Sequence, residues 1–150
     1  MAGFIFNVAK GKFRYYAELP AANDGLVWVI LQSTGLQADA VLKDHATLAS
    51  VLASNSEASF GGYARQAATG VSITQDDTNE WVTITVNNPS WNPTTAQAIG
   101  KILLCYDNDV GAGTDADIIP LCADDFAMTT PTSGTITYQV NASGLMRAAE

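Results

Sequence analysis

Residues 81–86 read Trp81-Val82-Thr83-Ile84-Thr85-Val86, and from Val82 onward apolar and polar side chains alternate strictly. In an extended chain successive side chains point to opposite faces, so valine and isoleucine share one face and threonine the other. This pattern predicts a strand with one buried face. Residues 71–73 show the same alternation, and a turn-rich stretch at 75–79 separates the two runs, which predicts a β-hairpin.

Further strands are predicted on both sides of this hairpin. Residues 135–140 repeat the alternation, whereas residues 26–31 and 102–106 are apolar on both faces, as in strands that are covered on both sides. We therefore expect these two runs to be central or interface strands. Other candidate strands are residues 4–8, 13–18, 63–67 and 118–123. Pro120 lacks a backbone donor, which places the last of these at a sheet edge or at a bulge.

One short helix is predicted over residues 44–53. Leu48, Val51 and Leu52 recur at helical spacing, and Asp44 is suited to cap the first turn. Many short strands with a single helix predict a mostly β fold, an antiparallel β-sandwich of jelly-roll-like type. At 150 residues the chain has the size of one domain, residues 1–150.

The composition disfavours several classes of partner. Fifteen acidic and seven basic side chains give a formal net charge of −8, which repels a nucleic-acid backbone. The first residues lack the basic and apolar segments of a signal peptide, and no apolar run is long enough to span a bilayer. We expect a soluble protein made in the cytoplasm, without nucleic-acid or membrane partners, in which Cys105 and Cys122 are buried and reduced.

Candidate catalytic and metal-binding residues are few. His45 is the only histidine, and a solvated position at the start of the predicted helix is its expected role. The segment 107–117 holds four carboxylates and two glycines, the kind of oxygen-rich loop that binds calcium. Its spacing departs from that of an EF-hand, however, and the same residue types are ordinary in turns. We predict no catalytic residue, no metal site and no cofactor, and therefore not an enzyme.

Aromatic residues allow two interpretations. Trp28, Trp81 and Trp91 are suited to stack on sugar rings, although a strand tryptophan is more often core or interface. Near the N-terminus, tyrosine and arginine, which are enriched in interface hot spots, cluster with phenylalanine. We therefore predict that residues 1–17 form an arm that contacts neighbouring subunits. Its candidate interface residues are Phe4, Phe6, Phe13, Arg14, Tyr15 and Tyr16.

Four blocks of the sequence resemble a group of small structural proteins of tailed bacteriophages, and the similarity runs nearly end to end. The blocks are residues 3–11 (GFIFNVAKG), 36–44 (LQADAVLKD), 100–107 (GKILLCYD) and 117–121 (DIIPL). The resemblance implies a virion protein, and foremost a head decoration or cement protein that binds the capsid shell and stabilises it. It carries over no catalytic residue.

The partners that this resemblance implies are the major capsid protein or other virion proteins, with the chain itself as a dimer or trimer on the capsid surface. Two alternatives stay open. A tail or neck adaptor would use the same fold and the same kind of interface. A virion-attached carbohydrate-binding β-sandwich would need at least one of the three tryptophans exposed beside polar groups.

Overall fold

The two runs that are apolar on both faces form the middle of the largest sheet. The computed structural model of the chain describes residues 3–78, 81–141 and 144–149. The sheet consists of β1 (Phe4–Ile5), β2 (Gly25–Gln32), β3 (Gln66–Ala67), β7 (Ala98–Asp107) and β8 (Ile119–Thr129). These strands are antiparallel and lie in the order β1-β8-β7-β2-β3. The prediction of central strands at 26–31 and 102–106 is confirmed.

Both faces of this sheet are covered, which explains why its central strands show no alternation in sequence. On one face Trp28 and Leu104 belong to the larger cluster of buried side chains. On the other face Val29 and Leu103 belong to a smaller cluster, which Leu48 and other side chains from short helices complete. The five-stranded sheet therefore lies between two apolar cores.

The predicted hairpin is confirmed and belongs to a second sheet. β4 (Ser72–Asp76) pairs with β5 (Trp81–Thr85), and β10 (Met146–Ala149) pairs with the other side of β5. Val82 and Ile84 of β5 are buried in the larger core. A separate pair is formed by β6 (Ser90–Trp91) and β9 (Ile136–Thr137). The mostly β, antiparallel fold is confirmed, whereas the sandwich and jelly-roll arrangement stays a prediction.

The described residues contain three short α-helices, where the sequence predicts one. They are α1 (Phe13–Ala17), α2 (Asp39–Leu42) and α3 (Leu48–Leu52). α3 lies inside the predicted range 44–53, but its cap is Thr47 and not Asp44. The Thr47 side chain accepts from Ser50 N, and the Ser50 side chain accepts from Thr47 N, which forms a capping box. Asp44 instead accepts a hydrogen bond from Asn7.

The strands predicted at residues 4–8 and 13–18 are largely wrong. β1 ends at Ile5, a 3-10 helix follows over Asn7–Ala9, and residues 13–17 form α1. Phe13, Tyr16 and Ala17 are buried together and are spaced i, i+3 and i+4. The helical period, and not alternation, therefore decides the conformation of this segment.

Pro120 lies at an irregularity of the β7–β8 ladder, as one of the two predicted alternatives requires. Leu104 pairs with Cys122 and Cys105 pairs with Pro120, so β8 has one additional residue, Leu121, at this point. β8 lies between β1 and β7 in the sheet, so the edge alternative is wrong. The strands predicted at 63–67 and 135–140 are shorter than expected and are limited to β3 and β9.

Candidate interaction surface

The structure packs most of the predicted N-terminal interface residues inside the chain. Phe6, Phe13 and Tyr16 are buried, and Phe4 is half-buried. β1 pairs with β8 of its own chain, and Phe6 N donates to the Leu121 carbonyl at 3.0 Å. The described part of the predicted arm is therefore attached to its own sheet. Of the six residues, Arg14 and Tyr15 are exposed.

A buried lysine lies beside β1. The Lys101 side chain is 5% exposed, and its Nζ lies 2.6 Å from Asp125 Oδ1, 2.9 Å from Asp39 Oδ1 and 5.6 Å from the centre of the Phe4 ring. Burial disfavours the charged ammonium, but the hydrogen bonds to the two carboxylates outweigh this effect and raise the pKa of Lys101. The ammonium thereby links β7 to β8, α2 and β1.

Three large apolar side chains are exposed at the end of the five-stranded sheet where β2 begins and β7 ends. They are Tyr15, Leu19 and Val110, and we call them the end surface. Tyr15 is 56% exposed and Val110 is 62% exposed. Leu19 and Val110 are not candidates from the sequence, because one apolar residue in a turn-rich segment carries no periodic signal.

Hydrogen bonds around Asp24 hold this end of the sheet together. The Tyr106 hydroxyl donates to Asp24 Oδ2 at 2.9 Å, and Ala21 N donates to the same oxygen at 2.8 Å. Val110 N donates to the Asn23 carbonyl at 2.9 Å, which joins the loop after β7 to the segment before β2. Burial and the Asp24 carboxylate raise the pKa of Tyr106 to about 12.

Aromatic contacts place α1 beside the same hydrogen bonds. The Tyr16 and Tyr106 ring centres are 4.9 Å apart, and those of Tyr15 and Tyr16 are 5.5 Å apart. Leu19 follows α1 with a φ of 52°, a left-handed conformation that is uncommon for leucine. This conformation is strained, so the surrounding structure must hold the turn in place.

Acidic and basic side chains both lie in the segments that carry the end surface. Glu18, Asp24, Asp107 and Asp109 are acidic, whereas Lys10 and Lys12 lie directly before α1. Arg14 is the basic residue of α1, and its guanidinium donates to Glu18 at 2.9 Å and to Gln75 Oε1 of β4 at 3.2 Å. The carboxylates of Asp107 and Asp109 lie on the Val110 side of the surface, and this side favours basic groups in a partner.

The carboxylates of the 107–117 loop accept hydrogen bonds from the loop itself. Asp107 accepts from Asp109 N, Asp109 from Gly111 N, and Asp117 from Thr114 N, each at 3.1 Å. Such side-chain-to-backbone bonds are typical of turns. Among the residues that the structure describes, no group of three or more His, Cys, Asp or Glu side chains is placed to hold a metal ion.

Arg65 anchors the far end of this loop. Its guanidinium donates to Glu57 at 2.8 and 2.6 Å and to Asp115 at 2.6 and 3.2 Å, and together with the loop it lines a cavity of about 290 Å³. The Tyr63 hydroxyl donates to Glu57 at 2.7 Å and accepts from Ile30 N of β2 at 3.1 Å. The guanidinium holds the pKa of Asp115 below its usual range. The two partners lie 8 and 50 residues from Arg65, so no local pattern indicates this cluster.

The remaining sequence candidates are placed mainly as structural residues. Trp28 and Trp91 are 1% and 2% exposed, which removes both from the carbohydrate-binding alternative, while the Trp81 side chain lies outside the described part. His45 Nε2 lies 2.8 Å from Gln37 Oε1. Cys105 and Cys122 are buried free thiols, as predicted, and burial raises the pKa of both.

Comparison of the chain with protein-family models, with curated proteins and with solved structures finds no match. In the described residues no helix is long and apolar enough to cross a membrane.

Proposed function

We propose that this chain is a structural protein of a tailed-bacteriophage virion, and specifically a decoration protein that binds the assembled capsid shell through the end surface. The observation that carries the proposal is the exposure of Tyr15, Leu19 and Val110 on a part of the fold whose backbone is held by hydrogen bonds. Exposed apolar side chains rimmed by polar groups are typical of protein interaction sites. The resemblance of four sequence blocks to phage structural proteins supplies the class of partner.

The chemistry of the end surface specifies its complement on the capsid. Tyr15 and Val110 offer apolar area, and the carboxylates around them offer hydrogen-bond acceptors and negative charge. The matching capsid surface has an apolar recess with basic groups at its rim. Binding to the shell but not to dissociated capsid subunits stabilises the shell by mass action.

Co-sedimentation with capsid shells tests this proposal. Shells assembled from the major capsid protein of the same phage, without decoration, are mixed with the wild-type chain and with Tyr15→Ser and Val110→Ser variants. Each substitution removes apolar area from the contact. It should weaken binding about tenfold, because the lost apolar burial is worth about 1.5 kcal/mol. Val41→Ser is the matched control, because Val41 is 52% exposed on α2, away from the end surface.

Three results would contradict the proposal. Failure of the wild-type chain to bind shells, or equal loss of binding in the Val110→Ser and Val41→Ser variants, excludes the end surface as a capsid contact. Binding to purified tails or necks but not to shells assigns the chain to the tail or neck alternative.

A further inference from the structure

The end of the five-stranded sheet opposite the end surface is built from segments without charged residues. Here β2 ends, β7 begins and β8 ends. Four segments meet at this end, and we call them the neutral end: residues 32–38, 58–64, 87–98 and 127–137. None of the fifteen acidic and seven basic side chains of the chain lies in them. Charged residues usually make up about a quarter of a soluble protein, so a surface of this size without them is unusual.

Hydrogen bonds between the segments hold the neutral end in one conformation. Gln97 Oε1 accepts from Ser59 N at 2.8 Å, and Gln97 N donates to Thr130 Oγ1 at 2.9 Å. Ser33 N donates to the Ala98 carbonyl at 3.1 Å, which joins the loop after β2 to the start of β7. Loops that are ordered before binding lose little conformational entropy in a contact.

The exposed residues of the neutral end are mostly small, apart from one methionine. Met128 is 40% exposed, and methionine is enriched in protein interfaces. The other exposed residues are mainly threonine, serine, asparagine and alanine. Roughly twenty residues of the four segments are exposed, which is about the number that one partner contributes to an interface of standard size.

The charged residues that are closest in sequence to the four segments pair with one another. Arg65 Nη2 lies 2.6 Å from Glu57 Oε2, and Lys101 Nζ lies 2.9 Å from Asp39 Oδ1 and 2.6 Å from Asp125 Oδ1. Their charges are therefore largely balanced within the chain. Most of the net charge of −8 comes from residues outside the neutral end and its borders.

We propose that the neutral end binds the neutral end of a second copy about a two-fold axis. Because both copies have a net charge of −8, contact through their acidic parts opposes like charges, whereas contact through the neutral end does not. A surface without charges also matches itself in charge, as a two-fold contact requires. A sugar is disfavoured as the ligand, because none of the aromatic side chains in these four segments is exposed.

The dimer does not depend on the proposed capsid contact, because the two surfaces lie at opposite ends of β7. This strand has ten residues and is therefore about 30 Å long. In an end-to-end dimer the centres of the two copies lie about 35 Å apart, which gives a radius of gyration of about 23 Å, against about 19 Å for a compact arrangement of the same size. The measurements below use no capsid shells, so failure of one proposal leaves the other in place.

Sedimentation equilibrium on matched variants tests the pairing. We expect a dissociation constant on the order of 10 µM, so the wild-type chain should be mostly dimeric at about 100 µM. Met128→Glu brings one carboxylate from each copy into the contact and should raise the constant at least about tenfold. Met128→Gln, which is uncharged and of similar size, should change it less than about threefold. Ala112→Glu adds the same charge at an exposed position on the other end of the sheet and should leave it unchanged.

Hydrogen exchange and salt dependence test the location of the contact independently. Raising the protein concentration from about 1 to about 100 µM should slow exchange in residues 92–98 and 127–135 but not in residues 107–114. Salt screens the repulsion between the two acidic copies, and the contact itself holds no opposite charges. Association should therefore stay unchanged or strengthen between about 50 and about 500 mM salt.

The proposal is overturned by a wild-type chain that is monomeric at about 100 µM, or by equal dissociation constants for Met128→Glu and Ala112→Glu. Concentration-dependent protection of residues 107–114 instead of the neutral end would assign self-association to the end surface. A radius of gyration of about 19 Å for the dimer, or association that weakens at least about tenfold at high salt, would likewise contradict an end-to-end contact without charges.

Discussion

Replacing the two carboxylates around the Lys101 ammonium should destabilise the fold more than removing the ammonium itself. In Lys101→Met the apolar stem stays buried, and Asp39 and Asp125, which are 47% and 48% exposed, are hydrated in place of the lost partner. The substitution removes two half-exposed ion pairs of about 0–1 kcal/mol each and a cation–π contact of about 0.5–1 kcal/mol. It also removes the desolvation of the ammonium, so the net loss should stay below about 1 kcal/mol.

The converse variant, Asp39→Asn with Asp125→Asn, leaves the ammonium buried without a counter-charge. Removing the partner of a fully buried charge costs about 3–5 kcal/mol, and we expect about 2–3 kcal/mol here because the amide oxygens still accept hydrogen bonds. Adding Lys101→Met to this double variant removes the unpaired charge. The triple variant should therefore recover at least about 1 kcal/mol, a non-additivity typical of groups in contact.

Urea denaturation of the four proteins measures these differences, and the buried Trp28 and Trp91 supply a fluorescence signal. The reasoning is refuted if Lys101→Met costs more than the double carboxylate variant. It is also refuted if the triple variant loses the sum of the two separate effects, because the ammonium would then stabilise the fold independently of its counter-charges.

Three further changes test local features. Thr47→Ala removes the capping box of α3 and should lower the free energy of unfolding by about 1 kcal/mol, whereas Thr132→Ala at an exposed turn should not. Cys105 and Cys122 should react with a thiol reagent only after unfolding, since burial raises the pKa of Cys122 to about 12; rapid labelling of the native chain would contradict this. The pKa of Asp115 is lowered by Arg65, so their pairing contributes fully above about pH 4 and is lost as pH falls through the folded pKa. Arg65→Gln should therefore weaken the pH dependence of the free energy of unfolding at acid pH. An unchanged pH dependence in that range would argue against this pairing.

The strands are predictable where one physical constraint dominates a long enough stretch. β5 follows the alternation of residues 81–86, because one of its faces is buried in the larger core. β2 and β7 lie between two cores, and their apolar runs are continuous because both faces of each strand are buried. Local sequence suffices in these places because the burial of a strand face repeats at every second residue.

The N-terminal segment is mispredicted because it is too short for a period to emerge. Residues 13–17 span little more than one helical turn, and the aromatic residues within them are compatible with a strand. Tertiary packing decides between the two conformations: Tyr16 lies against Tyr106, which is 90 residues away. The same limit applies to the end surface, whose members come from two separate segments and meet only in the folded chain.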